Sequence, residues 1–153
     1  MQILVTVPDW INQSVRDCVL LIMSKVLGID YGRKKIGLAF GNTEARLAEP
    51  LRILRYEDIK ILSQKIGEIV KEYNIEKIVV GISEGEMAKE TKEFGKKLEE
   101  NLKVPVIFQD ETLTTQDAQK FAIEAGINRK KRKLLEDAYS AAIILQTYLD
   151  YQK

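Results

Sequence analysis

Val26-Leu27-Gly28-Ile29-Asp30-Tyr31-Gly32-Arg33-Lys34-Lys35-Ile36-Gly37-Leu38-Ala39-Phe40 is the stretch on which the reading of the fold turns. Two apolar runs, 25–31 and 35–40, flank the turn sequence Gly32-Arg33-Lys34 and predict a β-hairpin. One acid, Asp30, interrupts the first run. An ionised carboxylate in an apolar strand is costly unless it is paired or bound to a metal. Gly28 and Gly32 on either side let a ligand or another backbone approach closely. The alternative is an Asp at the strand end that caps the Gly32 turn.

Working outward from this hairpin, Leu51–Arg55 predicts a third strand. Ile59, Leu62, Ile66, Ile69, Val70 and Tyr73 then recur at helical spacing and predict an amphipathic helix over 57–73. Ile78-Val79-Val80-Gly81 reads as a short buried strand, 86–102 as a charged surface helix, and Val106-Ile107-Phe108 as another buried strand. Thr114 or Thr115 can cap a helix holding Ala118, Phe121, Ala122 and Ala125, which Gly126 ends. The last helix is expected over 134–148. An antiparallel start followed by β-α-β-α alternation predicts an α/β domain with a mixed central sheet flanked by helices.

The chain has 153 residues, with 24 Lys+Arg, 23 Asp+Glu, no His and a single Cys. That length fits one domain. With 45% hydrophobic and 31% charged residues, it should be globular. The missing His excludes Ser-His-Asp and Cys-His catalysis and His-ligated zinc. One Cys excludes an internal disulfide and a four-Cys metal site. An enzyme of this composition must work with carboxylates, Lys, hydroxyls or a bound metal. The net charge of +1 gives no global sign of a nucleic-acid partner, although a balanced total can hide local patches.

Residues 1–22 differ from the rest. Their charges are Asp9, Arg16 and Asp17, without Lys, and they hold Trp10 and Cys18. The apolar run Val19–Ile22 is too short to span a membrane. The segment lacks the basic start and cleavage site of a signal peptide. We expect 1–22 to be an extension or an upstream-start artefact, and 23–153 to be the domain. An extra strand or helix packed on that domain is the alternative. A cytoplasmic location without a membrane partner is expected.

Two further acidic features accompany Asp30. Asp110-Glu111 follows a predicted buried strand, and ligands gather at the carboxyl ends of parallel strands in open α/β sheets. The pair could equally favour the N-terminus of the next helix. Asp137 lies in the last helix, with Leu134 and Ala141 as its i−3 and i+4 neighbours, so it borders the apolar stripe and faces the sheet. Alternatively Asp137 is an N-cap and the helix starts after it. Asp30, Glu111 and Asp137 together could supply three carboxylates to Mg²⁺ or Mn²⁺. Two such ions about 4 Å apart can activate water and stabilise a leaving oxygen in phosphodiester cleavage.

Basic clusters adjoin these acids. Arg33, Lys34 and Lys35 follow Asp30, and Arg129, Lys130, Lys131, Arg132 and Lys133 precede Asp137. Such runs are often solvated linkers, but beside candidate metal ligands they suggest phosphate contacts. Gly126–Lys133 is expected to be a mobile loop that orders on substrate.

The ordered set 28–32, 35–39, 78–81, Asp110-Glu111-Thr112-Leu113-Thr114-Thr115 and 136–146 resembles the YqgF family. This is the RuvX-like group of Holliday junction resolvases, also described as pre-16S rRNA nucleases. The resemblance covers about 25–150. It implies an RNase H-like fold and a cytoplasmic nuclease acting on structured RNA, with a role in maturing the 5′ end of 16S rRNA. It also implies Asp30, Glu111 and Asp137 as active-site acids. Gly81-Ile82-Ser83-Glu84-Gly85-Glu86-Met87 departs from the family's usual Pro-containing loop, and Thr112 replaces its usual Arg. An acidic loop and a lost Arg weaken phosphate contacts. A four-way DNA junction is the alternative substrate, and a non-cleaving RNA-binding module the alternative class. A phosphotransferase of the actin–hexokinase type needs two lobes, and this chain holds one. Monomer and homodimer both remain open.

Overall fold

The computed structural model describes residues 24–110 and 136–151. The predicted extension, the predicted helix after Thr115 and the basic run 129–133 lie outside the described residues, as does Glu111.

Strands β1 (Lys25–Asp30), β2 (Lys35–Asn42) and β3 (Ala48–Arg55) come first. Helix α1 (Ile59–Glu72), strand β4 (Lys77–Ile82), helix α2 (Glu86–Leu102) and strand β5 (Val106–Asp110) follow, and helix α3 (Glu136–Tyr151) closes the described chain. The sheet order is β3-β2-β1-β4-β5. β1 pairs antiparallel with β2 and parallel with β4, and β4 pairs parallel with β5. This is the expected mixed sheet.

Strand alternation gives the sheet two apolar faces. Leu27, Ile29, Ile36, Leu38, Ile78 and Val80 form one core with Leu62 and Ile66 of α1 and Phe94 and Leu98 of α2. Val26, Ala39 and Val79 form the other with Ala141, Ala142, Leu145 and Leu149 of α3. The central strands are therefore covered on both sides, as parallel strands require.

Helix α1 starts where Asp58 accepts a hydrogen bond from the Lys60 amide at 2.9 Å, two residues inside the predicted start of 57–73. Helix α2 has the predicted bounds, and Gly85 precedes it at φ 97°, a backbone angle that favours glycine. β3 begins at Ala48, earlier than the predicted Leu51. Pro50 sits within it, which an edge strand tolerates. The register slips there: Leu38 faces Arg52 while Ala39 faces Pro50, so Leu51 is the extra residue of a bulge. Gln146 of α3 fastens the start of this strand by accepting from the Ala48 amide at 2.9 Å.

Candidate active site

β1, β4 and β5 run in the same direction, so Asp30, Ile82 and Asp110 end their strands at one edge of the sheet. The first turn of α3 reaches the same edge. The contact that brings it there is at Gly37, the cross-strand partner of Asp30. A Cβ built on Gly37 would lie 1.9 Å from the Asp137 carbonyl oxygen. Only a residue without a side chain lets α3 descend this far. Gly28 repeats the device lower down, where an added Cβ would be 2.8 Å from Leu145 Cβ.

Directly opposed residues of an antiparallel pair point to the same face. Asp30 therefore shares the α3 face with Gly37, and Asp137 lies over that pair. Helix α3 is already formed at Glu136, so Asp137 belongs to its first turn and the N-cap alternative falls. Asp30 is half-buried at the strand end and has partners of its own.

Lys35 supplies a positive charge. Its Nζ lies 2.8 Å from Asp137 Oδ2, with the two side chains 47% and 28% exposed. The same Oδ2 is buried and accepts no hydrogen bond among the described residues. The two facts agree if the ammonium is close but off the hydrogen-bonding direction, so the oxygen has a counter-charge without a directed donor. An anionic oxygen in that state is suited to a cation of better geometry.

Asp110 does not join this pair. Phe108 packs with the α1–α2 core and Ile107 with the α3 core, so alternation sends Asp110 to the face opposite Asp30. Among the described residues no three acidic, Cys or His side chains gather as a metal site. Among the described residues, Asp30 and the first turn of α3, which carries Asp137, thus converge on Gly37.

The predicted cations separate. Lys35 faces Asp137, whereas Arg33 Nε donates to Glu90 Oε2 of α2 at 3.1 Å. Glu90 also accepts from the Tyr31 hydroxyl at 3.3 Å, and Tyr31 stacks on Phe94 with ring centroids 4.7 Å apart. Burial, then the nearby Tyr56 and Glu90, pushes the Tyr31 hydroxyl pKa well above its usual value. Burial likewise raises that of Tyr56. Sequence reading passes over Tyr56. Its hydroxyl donates to the Gly32 carbonyl at 2.5 Å and its amide to the Lys34 carbonyl at 3.0 Å, so it fastens the turn that follows Asp30. A lone Tyr between a strand and a helix carries no periodic signal.

The sequence profile of the RuvX family, described as Holliday junction resolvase, matches residues 24–151. The chain belongs to this family. A relative from Caldanaerobacter subterraneus subsp. tengcongensis, named as a pre-16S rRNA nuclease, is 42% identical over 136 residues, covering 84% of this chain and 98% of its own. A Syntrophomonas wolfei relative of the same name is 39% identical over 132 residues, covering 82% and 94%. Among solved structures, Thermus thermophilus RuvC in complex with a Holliday junction substrate aligns with a TM-score of 0.56 at 15% identity, covering 85% of this chain and 98% of that one. The fowlpox virus Holliday junction resolvase aligns at 0.60 with 14% identity, covering 84% and 99%. At such identities the likeness is one of fold, and the RuvX-family chain has the RNase H-like fold that its motifs imply. Among the described residues no helix is long and apolar enough to cross a membrane.

Proposed function

We propose that this RuvX-family protein is a divalent-metal-dependent endonuclease that cuts 16S rRNA precursor during maturation of its 5′ end in the cytoplasm. The observation that carries the proposal is that Asp30 and the backbone of Asp137 flank one glycine, Gly37, at the carboxyl edge of the sheet. The names of the relatives direct it to RNA.

Asp30 and Asp137 are hard oxygen donors on two elements, and Glu111, the residue after β5, is the proposed third. Mg²⁺ or Mn²⁺ would be held by these acids and would supply Lewis acidity toward water and a leaving oxygen. The buried, undonated Oδ2 of Asp137 fits that ligand class. The chain's own contribution is rigid placement. Gly37 sets the depth of Asp137, and Tyr56 holds the turn beyond Asp30. Lys35 neutralises charge beside Asp137 and is proposed to shift to phosphate when substrate arrives. Lys34 and the cations Arg129, Lys130, Lys131, Arg132 and Lys133 are proposed to contact backbone phosphates, with Arg33 joining them if it leaves Glu90.

The family's description makes a four-way DNA junction the second reading. Purified protein is incubated with 16S precursor RNA or a synthetic four-way junction, each with Mg²⁺ or Mn²⁺. Cutting of the RNA at discrete positions is expected. Cutting of the junction alone would move the assignment to DNA, and binding without cutting under both metals would contradict catalysis.

A further inference from the structure

Arg55, the last residue of β3, stands opposite Lys35 on β2. Paired antiparallel residues place their Cβ atoms about 5 Å apart on one face. Lys35 touches Asp137, so Arg55 is one residue pair away from that acid. The end of β3 at Arg55 also borders an open basin of about 860 Å³ that runs past the β1–β2 turn to the α1 side of the sheet, where Lys34, Tyr56, Glu57 and Lys65 line it.

The basin has a fixed wall and uncommitted charge. Tyr56 ties its own segment to the turn through the bonds to Gly32 and Lys34. Arg33, on the rim, is paired with Glu90, and Asp58 caps α1. Among the described residues, Lys34, Arg55 and Lys65 make no ion pair. Three cations therefore face Glu57 as the acid without a structural task. An Arg presents a planar fork suited to phosphate oxygens, and a Lys adds a point charge.

We propose that this basin is a binding site for sugar-phosphate backbone, seating the stretch of nucleic acid next to the phosphodiester that would be cut at Asp30 and Asp137. It deepens the nuclease reading and rests on it. Contacts of this kind are independent of base sequence and set the register of the strand on the protein.

The test compares wild type with Arg55→Ala/Lys65→Ala by fluorescence anisotropy, using labelled 16S precursor RNA in buffer without divalent ions and over a series of salt concentrations. Lys96→Ala/Lys97→Ala, on the exposed side of α2, is the charge-matched control. Circular dichroism confirms that all three proteins are folded. Losing two phosphate contacts should make the plot of log K against log salt shallower by about 1.4, and affinity should fall on the order of tenfold. The control should bind as wild type does. Unchanged affinity and slope in the Arg55/Lys65 variant, or an equal loss in the control, would overturn the basin. Cleavage by the same wild-type preparation separates the two claims. If wild type cuts and the variant binds normally, the basin alone fails. If wild type neither binds nor cuts, the nuclease reading fails with it.

Discussion

Gly37 lies directly beneath the backbone of Asp137, and a Cβ built there would be 1.9 Å from its carbonyl oxygen. Gly37 is at the same time the strand partner of Asp30. One missing side chain thus sets the spacing of both acids. Gly37→Ala must displace the first turn of α3. We expect a loss of about 1–3 kcal/mol in urea unfolding, the usual cost of overpacking. Cleavage should fall further than the folded fraction does. A variant as stable and active as wild type would show that α3 is not held by this contact.

Leu145 is fully buried and packs against Gly28. Leu145→Ala should lower unfolding free energy by about 2–5 kcal/mol, because the α3 face has little bulk with which to refill the cavity. Chemical denaturation at neutral pH measures this. A cost below about 1 kcal/mol would mean that α3 repacks freely on the sheet.

Lys35 occupies Asp137 Oδ2, the oxygen that the proposed divalent ion would take. Lys35→Met removes the resident charge. Isothermal titration with Mn²⁺ should therefore show tighter binding than wild type, while cleavage declines for want of a phosphate contact. Weaker Mn²⁺ binding would indicate that Lys35 organises the site instead of occupying it.

Tyr31 and Tyr56 have hydroxyl pKa values raised in the folded state, chiefly by burial. A raised folded value means that the neutral form is favoured by folding. The associated stability is complete below the unfolded pKa, about 10, and is lost as pH climbs from there toward the higher folded value. Melting temperature should accordingly fall above about pH 10, and the fall should be smaller in Tyr31→Phe. Thermal melts between neutral and strongly alkaline pH check the sign. An equal fall in both proteins would remove Tyr31 from the account.

Much of this was legible in local pattern. The bounds of α2 match 86–102, and β1, β2 and α1 fall within two residues of expectation, because period-2 and period-3.6 apolar spacing reports burial directly. β3 extends three residues before the predicted 51–55, because an edge strand with a bulge at Leu51 accommodates Pro50. Asp30 and Asp137 were legible as acids in apolar surroundings. Their meeting was not, since it depends on a close approach at Gly37 between segments about a hundred residues apart. The Lys35–Arg55 pairing escaped for the same reason: register is a property of two strands, and neither strand contains it.

The central claim is that Asp30 and Asp137 act as one catalytic pair. The most direct measurement is single-turnover cleavage of 16S precursor RNA in Mg²⁺ by wild type, Asp30→Asn, Asp137→Asn and the double variant. Groups that act as a unit give strongly non-additive losses. The account predicts that either single change lowers the rate by about two orders of magnitude or more, comparable to losing one essential electrostatic group, and that the double change is hardly worse. Near-wild-type cleavage by Asp137→Asn, or losses that simply multiply in the double variant, would contradict it.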